Sequence, residues 1–146
     1  MKIKIKKLKE NASLPVYQTK NSAAADLYAC LDEPLNIKPG ERVRIPTGIA
    51  MEYEDTNVVA VICARSGLSS KHGIALANGI GVIDPDYRGE LLVSVVNLSD
   101  KEYVVQNSDR IAQLMLLPIV RGEFEYSDEL SETERGDHGF GSTGNR

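Results

Sequence analysis

The stretch GVIDPDYRGE, residues 81–90, sets Asp84, Asp86, Tyr87 and Arg88 close together between two apolar runs. A plain hairpin turn, which this stretch reads as, needs Pro, Asp and Gly, each for its own backbone reason. It does not need an aromatic ring wedged between a second acid and an arginine. Asp84 can take a proton from water, and general-base help of that kind is typically worth roughly 10²–10⁴ in rate. The Tyr87 ring can pack flat against a sugar. Asn78, just upstream, offers both a donor and an acceptor, which suits the edge of a nucleobase. The plainer reading is equally consistent with this stretch alone: Pro-Asp-Tyr-Arg-Gly is a good turn, and Asp86 simply pairs with Arg88.

Other stretches carry similar two-sided signals. In ARSGLSSKHG, residues 64–73, Arg65, Ser66 and Gly67 stand at the mouth of a short helix. They can present a guanidinium, a hydroxyl and N–H donors to phosphate, or form a loop with a surface arginine. The Lys-Ser/Thr ending of a P-loop is missing. Asp26 lies within AAADLYAC, among small and apolar residues. An unpaired buried carboxylate is expensive, so Asp26 must be paired, hydrogen-bonded or at the rim of a wet site; a turn or capping role is the alternative. A single carboxylate also suits Mg²⁺, which prefers phosphate and water oxygens to an all-protein cage. Gln113 interrupts RIAQLMLLPIV. A buried amide without partners costs about 1–3 kcal/mol, so it must find backbone or ligand. His72 and His138 lack metal-ligand spacing and read as exposed or structural.

The elements that must position these residues are strands almost throughout. KIKIKKL alternates, and AADLYAC, LNIK, RVRIPTGIAMEY and NVVAVICA are short and bounded by turn residues. Turn signals about every 8–12 residues indicate a sandwich or barrel. ELLVSVVNL and RIAQLMLLPIV are apolar at consecutive positions, which predicts burial on both faces and packing between subunits. One short helix is expected around Leu68 to His72, stopped at Gly73. The lysine-faced N-terminus makes a poor signal peptide and a fair edge strand.

From Gly122 the character changes. Glu123, Glu125, Asp128, Glu129, Glu132, Glu134 and Asp137 stand against one base, Arg135, before the ending GFGSTGNR. An acidic segment of this kind buries little and should be mobile alone. Its ending, with Gly139, Phe140, Gly141, Ser142 and Thr143, has a phosphate-gripping composition around one aromatic. With 146 residues and 42% hydrophobic content, one core is expected. Residues 1–127 should form it and 128–146 a mobile tail. No apolar run is long enough to span a bilayer, and a net charge of −4 argues against general nucleic-acid binding. Cys30 and Cys63 lie in apolar segments without disulfide or metal spacing, which predicts buried reduced thiols and a cytoplasmic setting.

Taken together, AAADLYA, ARSGLSSKHG, NGIGVIDPDYRGEL, RIAQLMLLPI and RGDHGFGSTG resemble, in order and separation, the five motifs of the homotrimeric deoxyuridine triphosphate nucleotidohydrolases (dUTPases). The resemblance runs from about residue 24 to residue 144. It implies an all-β, jelly-roll-like subunit assembling as a homotrimer, each active site drawing on all three chains and closed by a C-terminal tail. It implies hydrolysis of dUTP to dUMP and pyrophosphate with Mg²⁺, which keeps uracil out of DNA and supplies dUMP for thymidylate synthesis. Asp84 matches the general base that activates water for in-line attack on the α-phosphorus. Asn78 matches the residue at the uracil edge, with main chain around Ile83 and Leu92 completing the base pocket. Tyr87 matches the ring that packs on deoxyribose. Arg65, Ser66 and Gly67 match the phosphate-binding turn, Gln113 a phosphate contact, and Asp26 the carboxylate held near the metal through water. Arg135, Gly141, Ser142 and Thr143 match the tail's grip on the γ-phosphate, and Phe140 the ring stacked on uracil. Two positions depart from the pattern. His138 stands where the family usually has the first of two glycines, and Ala64 where it often has proline. The competing readings are a dCTP deaminase or bifunctional relative on the same fold, and a non-catalytic β-sandwich binding module.

Overall fold

The computed structural model describes residues 1–139. In chain order the strands are β1 (Lys4–Lys7), β2 (Ala25–Tyr28), β3 (Leu35–Ile37), β4 (Arg42–Pro46), β5 (Ile49–Glu52) and β6 (Val58–Cys63). Helix α1 (Ser66–His72) follows, then β7 (Ile74–Leu76), β8 (Gly81–Ile83), β9 (Leu92–Asn97), β10 (Tyr103–Val105) and β11 (Arg110–Pro118). The fold is an all-β, jelly-roll-like sandwich with a single short helix among the described residues. One sheet has the order β2-β11-β6-β8 and another β4-β9-β7, while β1 pairs with β5 and β10 with β3. All pairings are antiparallel. No helix among these residues is long and apolar enough to cross a membrane.

One continuous core joins the sheets: Leu27, Ala60, Ile62 and Leu114 from the first, Ile45, Val93, Val95 and Leu76 from the second, with Ile37, Ile49 and Val105. These residues alternate with outward ones because successive strand side chains point to opposite faces. The lysines of β1 stay exposed, as expected of an edge strand. The helix arises where the apolar pattern stops. Only Leu68 of α1 is buried, and Gly73 ends it in the left-handed conformation, with its N–H on Leu68 and Ser69 carbonyls.

Two expectations need correction. RVRIPTGIAMEY is two strands, because Thr47-Gly48 turns the chain from β4 into β5. Within one chain the doubly apolar runs keep exposed residues on their outer faces, where the expected cover is a neighbouring subunit. β9 alternates buried and less buried residues, leaving Leu92 exposed, and β11 ends in the exposed Leu117 and Pro118. The described residues offer no second layer there. The IDPDYRGE segment is also not a hairpin ladder, since β8 pairs with β6 whereas β9 pairs with β4 and β7. The segment crosses from one sheet to the other.

Gly48 has φ +68°, and a Cβ there would lie 2.6 Å from Cys30 Sγ and 2.8 Å from Ala12 Cβ. Gly48→Ala combines left-handed strain with overpacking and should cost about 2–4 kcal/mol. A lower urea midpoint at unchanged m-value checks this. Cys30 is buried and Cys63 half-buried, both free; the expectation of burial thus holds only for the first. Cys30 donates to Asn11 Oδ1 at 3.1 Å. Burial pushes its thiol up, which disfavours the reactive thiolate.

Candidate active site

The first group of predicted residues converges on one face of the β2-β11-β6-β8 sheet. Asp26 of β2 pairs with Gln113 of β11, which pairs with Cys63 of β6, so the three share a cross-strand row. Arg65 follows Cys63 by two positions, just past the strand end. Arg110 belongs to the same face for a less obvious reason. The β2–β11 register shifts between Arg110 and Ala112. A one-residue bulge moves a side chain to the opposite face, and here it turns Arg110 towards Asp26.

Asp26 is 7% exposed. Its Oδ1 accepts from Arg65 Nε at 3.1 Å and its Oδ2 from Arg110 Nη1 at 3.2 Å. The buried carboxylate is therefore paired, and at the wall of a pocket. A second guanidinium nitrogen of Arg65 donates to the Arg110 carbonyl at 2.9 Å. Gln113 donates to the Ala64 carbonyl at 2.8 Å and ties β11 to the turn before α1. These residues, with exposed Ser66 and Gly67, line an open pocket of about 530 Å³. Two partly exposed guanidiniums, an amide, a hydroxyl and the first-turn N–H groups of α1 make it a place for an anion with several oxygens. Among the described residues no group of three His, Cys, Asp or Glu side chains is arranged to hold a metal.

The second group lies on the crossing segment. Ile83 and Leu92 line two small pockets, shared with Asn78 in one and with Asp84 and Tyr87 in the other. The segment is held by its own polar groups. The Tyr87 N–H bonds the Asp84 carbonyl at 3.0 Å, and the Tyr87 hydroxyl bonds the Glu90 carbonyl at 3.1 Å. Glu90 Oε1 accepts from the Gly48 N–H at 2.8 Å, and Thr47 Oγ1 donates to the Leu91 carbonyl at 2.6 Å. Tyr87 remains 43% exposed, so its ring can meet a ligand. Arg88 does not pair with Asp86. It donates to the Pro85 and Tyr87 carbonyls at 2.7 and 3.0 Å, because the tight turn aims those oxygens at it.

The two groups do not meet within the chain. Ile83 pairs with Ala60, so Asp84 stands beside the start of β6, near Val59, while Arg65 follows its far end. Val59 and Cys63 are four residues apart along β6, about 13 Å at roughly 3.3 Å per residue, and β8 and β2 are three strand spacings apart, about 14 Å at roughly 4.8 Å each, so the two groups lie roughly 20 Å apart.

The sequence and fold are similar to those of known proteins. The dUTPase family profile matches residues 10–144. The deoxyuridine 5'-triphosphate nucleotidohydrolase of Desulfitobacterium hafniense (strain DSM 10664 / DCB-2) is 52% identical over 146 residues, 99% of this chain and 97% of that protein. The chain belongs to the dUTPase family. The enzyme of that name from gamma-proteobacterium EBAC31A08 is 50% identical over 131 residues, 90% of this chain and 94% of its own. Among solved structures, the dUTPase of Staphylococcus bacteriophage 80alpha with dUPNHPP superposes with a TM-score of 0.88 at 28% identity, covering 98% of each chain.

Against the dUTPase motifs, the first, second and fourth share the first pocket, and the third forms the other two. Of the fifth, Arg135 is exposed and donates to the His138 carbonyl at 2.9 Å; Phe140, Gly141, Ser142 and Thr143 lie outside the described residues. His138 is exposed and does not adopt positive φ, which falls instead on Gly136 at +54°. His72 is exposed, with its ring 5.1 Å from that of Tyr103. The sequence reading missed Arg110. A lone arginine opening an apolar strand was the available signal, but its face depends on a bulge that no local pattern announces.

Proposed function

We propose that this dUTPase hydrolyses dUTP to dUMP and pyrophosphate in sites formed between copies of a homotrimer. The observation that carries the shared site is the separation of Asp84 from the Arg65–Gln113 pocket along and across the sheet. A triphosphate is far shorter than that span, so one copy's Asp84 cannot serve phosphates held by the same copy's Arg65. The crossing segment of one copy must face the phosphate pocket of a neighbour. The incompletely covered faces of β9 and β11 give subunits somewhere to pack.

In this arrangement uracil enters beside Asn78, between Ile83 and Leu92. Main-chain and amide groups there favour uracil over cytosine, whose amine would face donors. A thymine methyl in a soft pocket is worth only about 1–3 kcal/mol, and the clamped backbone at C5 makes the refusal firmer. Tyr87 lies against deoxyribose, where a 2′-hydroxyl would collide. Asp84 removes a proton from the water that attacks the α-phosphorus in line. Arg65, Ser66, Gly67 and Gln113 of the neighbour orient the phosphates, and the work is positioning plus electrostatic stabilisation.

Mg²⁺ would supply charge neutralisation on the phosphate oxygens. Asp26 fits this only through water, since both its oxygens already accept from arginines. Its second task is to hold Arg65 and Arg110 in place. Arg135, Gly141, Ser142 and Thr143 of the tail hold the γ-phosphate, and Phe140 covers the uracil. The setting is cytoplasmic, with free Cys30 and Cys63 in keeping with it, and the product supplies thymidylate synthesis while uracil is kept out of DNA.

Pyrophosphate release measured with dUTP, dTTP, dCTP and UTP tests the reading. Rapid release from dUTP alone is expected; equal release from UTP would remove the role given to Tyr87. Ammonia released from dCTP would favour a deaminase instead. A chain ended after Leu130 should fold and assemble but hydrolyse dUTP at least about tenfold more slowly, because closure completes the site. Full activity in that shortened chain would dismiss the tail.

A further inference from the structure

Tyr53 has no part in the chemistry above, yet it sits directly beneath it. The residue is 5% exposed. Its hydroxyl donates to the Val58 carbonyl at 3.2 Å and accepts from the Ala60 N–H at 3.2 Å. Both partners are backbone groups of β6, and the ladder shows which way they point. The Ile119 N–H bonds the Asn57 carbonyl on the β11 side. Backbone groups alternate in direction along a strand, so those of Val58 and Ala60 face β8.

On that side Ala60 pairs with Ile83. The ladder ends at that pair: β8 stops at Ile83, and Pro85, two residues on, lies in the turn closed by the Tyr87 N–H on the Asp84 carbonyl. Proline has no N–H, and β8 does not reach the Val58 carbonyl. The Tyr53 hydroxyl makes that bond instead. This is the rung at which the chain leaves the sheet, and the residue between the last paired position and the proline is Asp84.

We infer that Tyr53 is a positioning residue for Asp84: its hydroxyl closes the β6 edge where the β8 ladder stops, and so fixes where the chain departs and where the Asp84 carboxylate stands. This rests on the reading of Asp84 as the base. Tyr53 lines the same pocket as Asp84, Pro85 and Asp86. Burial pushes its phenol up, with the Asp84 charge adding to the push, which keeps the hydroxyl protonated as a donor. In Tyr53→Phe the Ala60 N–H and the Val58 carbonyl both lose the hydroxyl that joins them. The departure point then loosens, and misplacement of a reacting group by about 1 Å can lower a rate by roughly 10².

The test uses full-length Tyr53→Phe beside wild type and Asp84→Asn. It measures the single-turnover rate of dUTP cleavage, the KM, and the affinity for a non-hydrolysable dUTP analogue. The expected result for Tyr53→Phe is a rate at least about tenfold lower, with KM and analogue affinity within about twofold. A tyrosine that merely fills the core would lower stability and leave the rate per folded molecule unchanged, which overturns the inference. Rate and analogue affinity falling together also overturns it. If Tyr53→Phe does not fold, Pro85→Ala takes its place. It gives the turn after β8 an N–H that competes for Val58, and the same loss of rate at constant KM is expected; a wild-type rate overturns the inference. Full turnover in Asp84→Asn would overturn the base and Tyr53 together. An inactive Asp84→Asn with a wild-type rate in Tyr53→Phe would remove Tyr53 alone.

Discussion

Asp84→Asn should bind dUTP and barely cleave it. The carboxamide matches the carboxylate in size but does not take a proton from water, so the single-turnover rate is expected to fall by about 10²–10⁴. KM should move by no more than about threefold, since a group acting only in the transition state changes rate and not ground-state binding. The fold gives the substitution little to disturb. The segment is held by the Tyr87 hydroxyl on Glu90, by Arg88 on Pro85 and by Glu90 on the Gly48 N–H. Asp84 itself is exposed, and only its main-chain carbonyl takes part in the turn. Wild-type turnover in the Asp84→Asn protein would require another base. Failure of the same protein to bind the analogue would mean that Asp84 holds the segment in shape.

Much of this architecture was legible because strand periodicity and turn chemistry act over a few residues. The helix expected from Leu68 to His72 runs Ser66–His72, since Leu68 as its one buried anchor and Gly73 as its stop are both local signals. Asp26 and Gln113 could be flagged because a polar group in an apolar run must find a partner, and both did. What stayed hidden depends on register. Arg110 faces Asp26 only through the β11 bulge. Tyr53 matters only because the β6–β8 ladder stops at Ala60 and Ile83 and leaves the Val58 carbonyl to its hydroxyl, a fact about strand pairing. The crossing from β8 to β9 looked like a hairpin because turn residues report that the chain reverses, not which sheet receives it. The five motifs identified the family from sequence, whereas the division of its residues between separate pockets required the fold.

That division predicts recovery of activity from two inactive proteins. Arg65→Ala removes the guanidinium that Asp26 holds over the phosphate pocket, and Asp84→Asn removes the base; each alone should be severely impaired. If loop and pocket come from different copies, co-assembled trimers contain some sites with neither lesion. Such a site takes its loop from an Arg65→Ala copy and its pocket from an Asp84→Asn copy. With equal amounts and random assembly in a cyclic trimer, about one site in four meets both conditions. Co-expressed or jointly refolded variants should therefore regain roughly a quarter of wild-type activity per site, far above either parent. The same proteins mixed without subunit exchange should regain nothing. A site built within one chain would carry a lesion in every copy, and no mixing could restore it. Wild type mixed with the Arg65→Ala, Asp84→Asn double variant gives an independent check. Equal amounts leave about one site in four intact if the site is shared, and about one in two if each chain is self-sufficient.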